Sequence, residues 1–339
     1  MTHFFASAAA LAATLSMVLP GAAVAQAKTP EVRIARGYGI VYLPMFVVDG
    51  KKMFEAQAAK AGLPNLTPQW VMLDGGNNIN DAVVAGAVDI AGAGVPGFIA
   101  LWAKTEGKGN SEVRALSAMS SVAMSLNTRN PKVKSLKDFT DQDKIALPGI
   151  KTSLAAVVLQ MMVAHEFGIE NYDKLDKLTV GLPYPEAYAA LTSGKGEINA
   201  HFASPPYSEM EMDQPGIRRI ANSTAMLGST TIDLVFAPKK YCETNPKVCT
   251  AFIAALDEAN AFIKANPEEA ARIYVDAVGK KMKVEEVVEM IKDKDTVFTT
   301  TPVNTMMYAE FMRRAGTIKV KPATWKDYFL PEAHTRSGS

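Results

Sequence analysis

Two of the chain's four histidines, its two cysteines, one aspartate and a duplicated small-residue loop are the places where residue type and spacing bear on chemistry. His201 lies in the run AHFASPP, where acid–base work would need a second reacting group beside it; strand alternation makes it a polar residue at a sheet end. His165 and Glu166 are adjacent, but no second histidine follows at the spacing a zinc-binding helix needs, so the pair reads as surface. Cys242 and Cys249 sit in KKYCETNPKVC without a histidine or a second cysteine pair, which argues against a metal. In an oxidising compartment they would bridge and staple a loop to the helix that follows; otherwise they are free thiols. Asp233, in the apolar run 231–238, is placed to bind a ligand amine or backbone amides, and the sequence does not choose between them. No nucleophile elbow, P-loop or dinucleotide fingerprint is present, so the chain reads as non-catalytic and needs no cofactor.

The duplicated stretch is DAVVAGAVDIAGAGVP at 81–96, whose grammar returns as AALTSGKGEINAHFASPP at 189–206. Aligning Gly86 with Gly194 sets Ala82 on Ala190, Asp89 on Glu197 and Ile90 on Ile198. Each copy predicts a helix end, a glycine able to stop it in the left-handed conformation, an acidic residue, an apolar strand and a small-residue loop with proline. Such loops let a ligand approach the backbone at a helix N-terminus, where unpaired amides favour an anion; an ordinary αβ connection has the same look. Two of them facing each other would form a cleft.

The elements that must position these loops follow from the rest of the chain. Its 339 residues carry Lys+Arg 36 against Asp+Glu 35, a formal net charge of +1, and are 48% hydrophobic. That is enough for two cored domains and gives no electrostatic signal for nucleic acid or a membrane surface. Residues 4–20 are almost uncharged and lead to Ala23-Val24-Ala25, so 1–25 is expected to be an export signal cleaved before Gln26, although its first residues lack Lys or Arg. No later segment reads as transmembrane, so the mature protein is expected to be soluble and exported.

A strand over 32–38, a helix over 43–61, a strand over 66–73 and the first repeat give β-α-β-α-β-α, which predicts a mainly parallel sheet with helices on both faces. The mostly uncharged run 113–128 is suited to carry the chain into a second domain, where the pattern restarts with a strand over 144–148, a helix over 154–167, a strand over 178–182 and the second repeat. The run 231–238 is suited to return it to the first, and from Asn245 the chain reads as helical. Ligands of open α/β sheets bind beyond the carboxyl ends of strands, here GYGIVY and AGAGVP.

With GYG at 37–39, AGAVDIA within 80–96, SLKDF at 135–139, YPEAYAALTSGKGEINA at 184–200, SPPY at 204–207 and the helical run 245–271, the chain resembles the nitrate/sulfonate/taurine group of ABC-importer substrate-binding proteins. The resemblance spans nearly the whole mature chain in order. It implies the type II periplasmic-binding fold, two αβα domains joined by crossing hinge strands: domain I from 26–119 plus 229–339 and domain II from 120–228. It implies a monomer that binds a small organic anion in the periplasm and hands it to a membrane permease. The pocket it implies combines Tyr38, Gly39, Tyr42, Gly94, Val95 and Pro96 with Lys151, Thr152, Ser153, Phe202 and Ser204, with Asp233 at the hinge. Tyrosines supply apolar walls and hydroxyls, loop amides and hydroxyls supply donors, and Lys151 supplies charge or is a solvated loop lysine. GIKTS replaces the usual glycine-serine pair and SPPY the usual acidic-proline-tyrosine, so sulfonate, nitrate, taurine and aromatic carboxylate all stay open. Two other functions stay open: a synthase on the same fold, whose pyrimidine-precursor relatives carry a cysteine-rich metal motif this chain lacks, and a ligand-sensing partner of a membrane receptor.

Overall fold

The computed structural model describes Met1 and residues 31–73, 75–151, 153–279 and 282–339; the expected leader beyond Met1 and Thr152 lie outside the described residues. Its first lobe opens with β1 (Glu31–Arg36), α1 (Leu43–Gly50), α2 (Met53–Lys60), β2 (Thr67–Met72), α3 (Gly76–Val84), β3 (Ile90–Gly94), α4 (Val95–Thr105) and β4 (Val113–Ser121). The second lobe holds β5 (Ser125–Thr128), β6 (Ile145–Leu147), α5 (Leu154–Phe167), β7 (Thr179–Gly181), α6 (Tyr184–Ser193), β8 (Ala200–Ala203), α7 (Tyr207–Met212), β9 (Arg218–Asn222) and α8 (Ser223–Leu227). The chain then returns through β10 (Asp233–Pro238) to α9 (Lys239–Thr244), α10 (Pro246–Ala265), α11 (Pro267–Ala277), α12 (Val284–Lys292), β11 (Val297–Phe298) and α13 (Met306–Arg314).

Among the described residues the first sheet has the order β11-β4-β10-β3-β1-β2 and the second β7-β6-β8-β5-β9. The sheets are mixed, where the βα alternation predicted mainly parallel ones. β2-β1-β3 and β7-β6-β8 are parallel, but β10 and β5 run antiparallel beside them. A parallel neighbour needs a crossover long enough for a helix, whereas β5 and β10 each arrive directly from the other lobe. The predicted single helix over 43–61 is likewise two, because Lys52 at φ 54° breaks it after Gly50. A Cβ on Gly50 would lie 2.9 Å from Ile273, so the glycine lets α11 pack close at the break.

The repeat is real but slips. Gly86 and Gly194 both stop their helices at positive φ, 67° and 65°. Strand register, however, pairs Ile34 with Ile90 and Ile145 with Ala200, so Ala200, two residues beyond Ile198, is the counterpart of Ile90. Asn199, not Glu197, therefore stands where Asp89 does. Asp89 accepts from the Arg33 amide at 2.8 Å, and Asn199 accepts from the Lys144 amide at 3.1 Å.

Apolar burial explains the packing. Phe46, Phe54, Phe252 and Tyr274 pack edge to face under α1, α2, α10 and α11, with ring centroids 5.3 and 5.0 Å apart. A second cluster runs from Phe98, Trp102 and Phe236 of the first lobe into Val157 and Met161 of α5. All of 155–163 is buried, so α5 has no polar stripe: β8 covers one side, α4 and α13 another.

Cys242 of α9 and Cys249 of α10 are bridged, with Cα atoms 5.7 Å apart. The closed loop is short. Replacing both by alanine should cost about 2 kcal/mol in urea unfolding, and no change would mean that the staple adds nothing to packing.

Candidate functional site

The loop after β1 turns at Gly39, whose φ of 104° suits glycine, and winds into a tight turn over Ile40–Tyr42. The Gly39 amide donates to the Tyr274 hydroxyl oxygen, fixing the loop against α11. From there the Ile40 amide reaches the second lobe, donating to the Pro205 carbonyl at 3.4 Å. A second contact lies at the end of β3, where a Cβ on Gly94 would stand 2.7 Å from Leu154 Cβ at the start of α5. The repeated loops thus face each other's lobe through backbone. Ser153 caps α5 by accepting from the Ala156 amide and donates to the Gly149 carbonyl.

Between these contacts lies Asp233, the first residue of β10 and 1% exposed. It pairs with Gly94 on one side and Ser120 on the other, so its side chain shares a sheet face with the Gly94 Cβ direction, which points at Leu154. The Tyr42 hydroxyl donates to its carboxylate. Burial pushes Asp233 up to about 7, an effect the Tyr42 bond only partly offsets. Asp233 Oδ2 and the Ser120 hydroxyl, 1% exposed, have no hydrogen-bond partner among the described residues. Tyr42 lies flat there because Gly37 and Gly92 leave room: a Cβ on either would touch its ring, at 2.8 and 3.2 Å. From the second lobe Tyr184 feels the Asp233 charge; burial raises its phenol to about 12 although Ser204 donates to it through hydroxyl and amide.

Of the residues expected in the pocket, Tyr42, Gly94 and Asp233 therefore come together, with Ser204 reaching them through Tyr184 and Gly39 and Ser153 flanking the two lobe contacts. Tyr38 is 44% exposed at the loop tip. Val95 and Phe202 are fully buried core residues, and Pro96 is buried in the first turn of α4. Lys151 is exposed, at φ 68°, and its charge acts on Asp176. Thr152 lies outside the described residues.

Tyr184 and Ser120 were not singled out from sequence, and only the mostly uncharged character of 113–128 hinted at the buried serines of β4. His201 differs from its expected place. It is fully buried inside β8, with Nδ1 against the Glu211 carboxylate and its ring 5.7 Å from that of Tyr184. Asn127 Nδ2 donates to the same carboxylate at 2.9 Å and to the Ser208 carbonyl at 2.7 Å. This brace ties α7, and with it the SPPY turn, to the second sheet. His165 is exposed, and Glu166 pairs with Lys137. Among the described residues no group of three or more His, Cys, Asp or Glu side chains is arranged to hold a metal.

A cavity of about 760 Å³ opens on the far side of Pro205, beside the crossing at Val122 and Ala123 and under Met290 and Asp293. None of the expected pocket residues lines it. Gly94, Leu154 and Ile40, which make the contacts between the lobes, do not line it either.

No helix among the described residues is long and apolar enough to cross a membrane. Comparison with curated protein sequences finds no match. Among solved structures the chain is similar to the aliphatic sulphonate binding protein SsuA of Escherichia coli, at 17% identity and a TM-score of 0.65, over 91% of this chain and 99% of that one. It is similar to the nitrate-binding protein NrtA of Synechocystis PCC 6803, at 15% identity and a TM-score of 0.69, over 90% and 87%. A third likeness is to the alkanesulfonate-binding SsuA of Xanthomonas axonopodis pv. citri bound to MOPS, at 16% identity and a TM-score of 0.64, over 86% and 94%. The fold is that of the periplasmic binding proteins. The sequence pattern of a family described as NMT1/THI5 like matches residues 52–270, well over half of the chain. The chain belongs to the NMT1/THI5-like family.

Proposed function

We propose that this protein is the solute-binding component of an ABC importer, exported to the periplasm after cleavage behind Ala25, and that it closes two domains, 26–119 plus 229–339 and 120–228, on a small organic anion for delivery to a permease. The observation that carries the reading is the pair of backbone-level contacts between lobes, Gly94 against Leu154 and Ile40 against Pro205, with orphaned polar atoms at their base. In a protein that works by hinge closure, contacts of this kind exist in one state and are broken in the other, and a ligand stabilises the state it bridges. The sulphonate and nitrate named for the structural neighbours support an anion as cargo.

The reading has a direct test. A thermal-shift screen of residues 26–339 against sulfonates, nitrate and carboxylates should find a solute that, at a hundred times its dissociation constant, adds about 2.7 kcal/mol. Gly94→Val should then weaken that solute more than tenfold, because its side chain meets Leu154 before the lobes close. X-ray scattering should show the variant staying expanded when solute is added. Lys104→Ala, exposed late in α4, should bind normally. A Gly94→Val protein that compacts and binds like the parent would defeat the closure reading.

A further inference from the structure

Resting on the solute-binding reading, we infer that the cargo carries a basic nitrogen, an ammonium or comparable N–H cation, which enters the site against the free oxygen of Asp233 with the Ser120 hydroxyl beside it. The face these two residues share holds a carboxylate oxygen with no donor on it and a serine hydroxyl that can either donate or accept. A carboxylate oxygen accepts only, and Asp233 Oδ2 is orphaned while its residue is 1% exposed. Ser120 Oγ, on the neighbouring strand and the same face, is orphaned too. Buried polar atoms in native proteins are nearly always paired, so two exceptions at paired strand positions beside the contact between lobes call for a partner that arrives when the lobes open.

The surroundings favour a cation over a neutral donor. The groups facing Asp233 are phenols: Tyr42, which already donates to it, Tyr184 from the opposite lobe and Tyr308 from α13, whose hydroxyl is engaged with Thr230 at 2.7 Å. Among the described residues no Lys or Arg is paired with it. An ammonium would supply both the missing donors and the missing positive charge, and phenol rings are good neighbours for it. A bare anion would meet a carboxylate. The inferred cargo is therefore a zwitterion, an organic anion that also carries a basic nitrogen, and not nitrate or a simple alkanesulfonate.

The test uses matched probes on the mature protein: taurine against ethanesulfonate, β-alanine against propionate, and 4-(aminomethyl)benzoate against 4-methylbenzoate. In calorimetric titration the amine member of at least one pair should bind ten times or more tightly than its amine-free partner. The ratio should fall to about twofold in Asp233→Asn, which keeps the shape and an acceptor for Tyr42, and persist in Lys104→Ala. In parallel, protein isolated from the periplasm without refolding is denatured and its released solutes are weighed by mass spectrometry; a released solute with a basic nitrogen supports the inference. Equal binding of both pair members, a ratio unchanged in Asp233→Asn, or a released solute without basic nitrogen overturns it and leaves the solute-binding reading standing. No binding by any probe together with no released solute overturns both.

Discussion

Glu211→Ala should cost roughly 3–5 kcal/mol in urea unfolding, against well under 1 kcal/mol for Glu209→Ala two positions earlier on the same helix. Glu211, His201 and Asn127 are each fully buried, and the Glu211 carboxylate is the acceptor that both of the others use. Removing it leaves His201 Nδ1 unpartnered beside an Nε2 that already lacks a partner, and opens a cavity under α7. Glu209 pairs with Arg219 at the surface, where solvent does most of the work of satisfying a charge. Removing both polar partners should hurt less than removing one, so His201→Phe with Glu211→Leu is expected to recover part of the loss. If Glu211→Ala and Glu209→Ala unfold alike, the brace under the SPPY turn is not closed to water as the structure has it.

How much of this was legible in the sequence depended on what each feature needs. Elements set by local pattern could be read: α5 falls on 154–167 as expected, because a long apolar run behind a capping serine needs nothing distant to become a helix. The return of 231–238 to the first sheet was legible too, with β10 seated between β3 and β4. The repeat was legible in its helix and glycine and failed at its strand. Two extra residues after Gly194 are invisible to an alignment that finds an acidic residue at Glu197, and only the pairing of Asn199 with the Lys144 amide exposes the slip. The candidate site was legible by loop and not by side chain. Tyr42 and Asp233 lie far apart in the chain, and their hydrogen bond depends on Gly37 and Gly92 clearing a path for the ring. Phe202 sits in the core because β8 lies between β6 and β5 with all four residues buried, His201 on one face and Phe202 on the other, and the resemblance does not say which face meets the apolar core. The partner of His201 is ten residues on, across a turn, so no spacing rule could have supplied it.

The second large effect is a pH dependence centred on Asp233. Its carboxyl rests at about 7 in the folded protein, against about 3.9 for a free aspartate, so the folded state binds the extra proton between those values. Stability from this group is therefore fully present below about pH 4 and is lost as pH rises through 7, a swing on the order of 4 kcal/mol. Asp233→Asn has no proton to lose. Relative to the parent it should be near neutral at pH 4 and more stable by about that amount at pH 8, in urea unfolding extrapolated to water. Every other titrating group is common to both proteins and cancels in the difference. Parallel profiles would mean that Asp233 is solvated and ionised throughout, and would remove the reason for calling it an orphan. The same measurement with a bound amine should invert the trend. A cation against Oδ2 favours the ionised carboxylate, so affinity for that probe should climb as pH rises toward and past 7, where the empty site is least stable. The cost of holding Asp233 ionised without a partner is then what the cargo relieves, which ties the cost of that carboxylate to the capture of the solute.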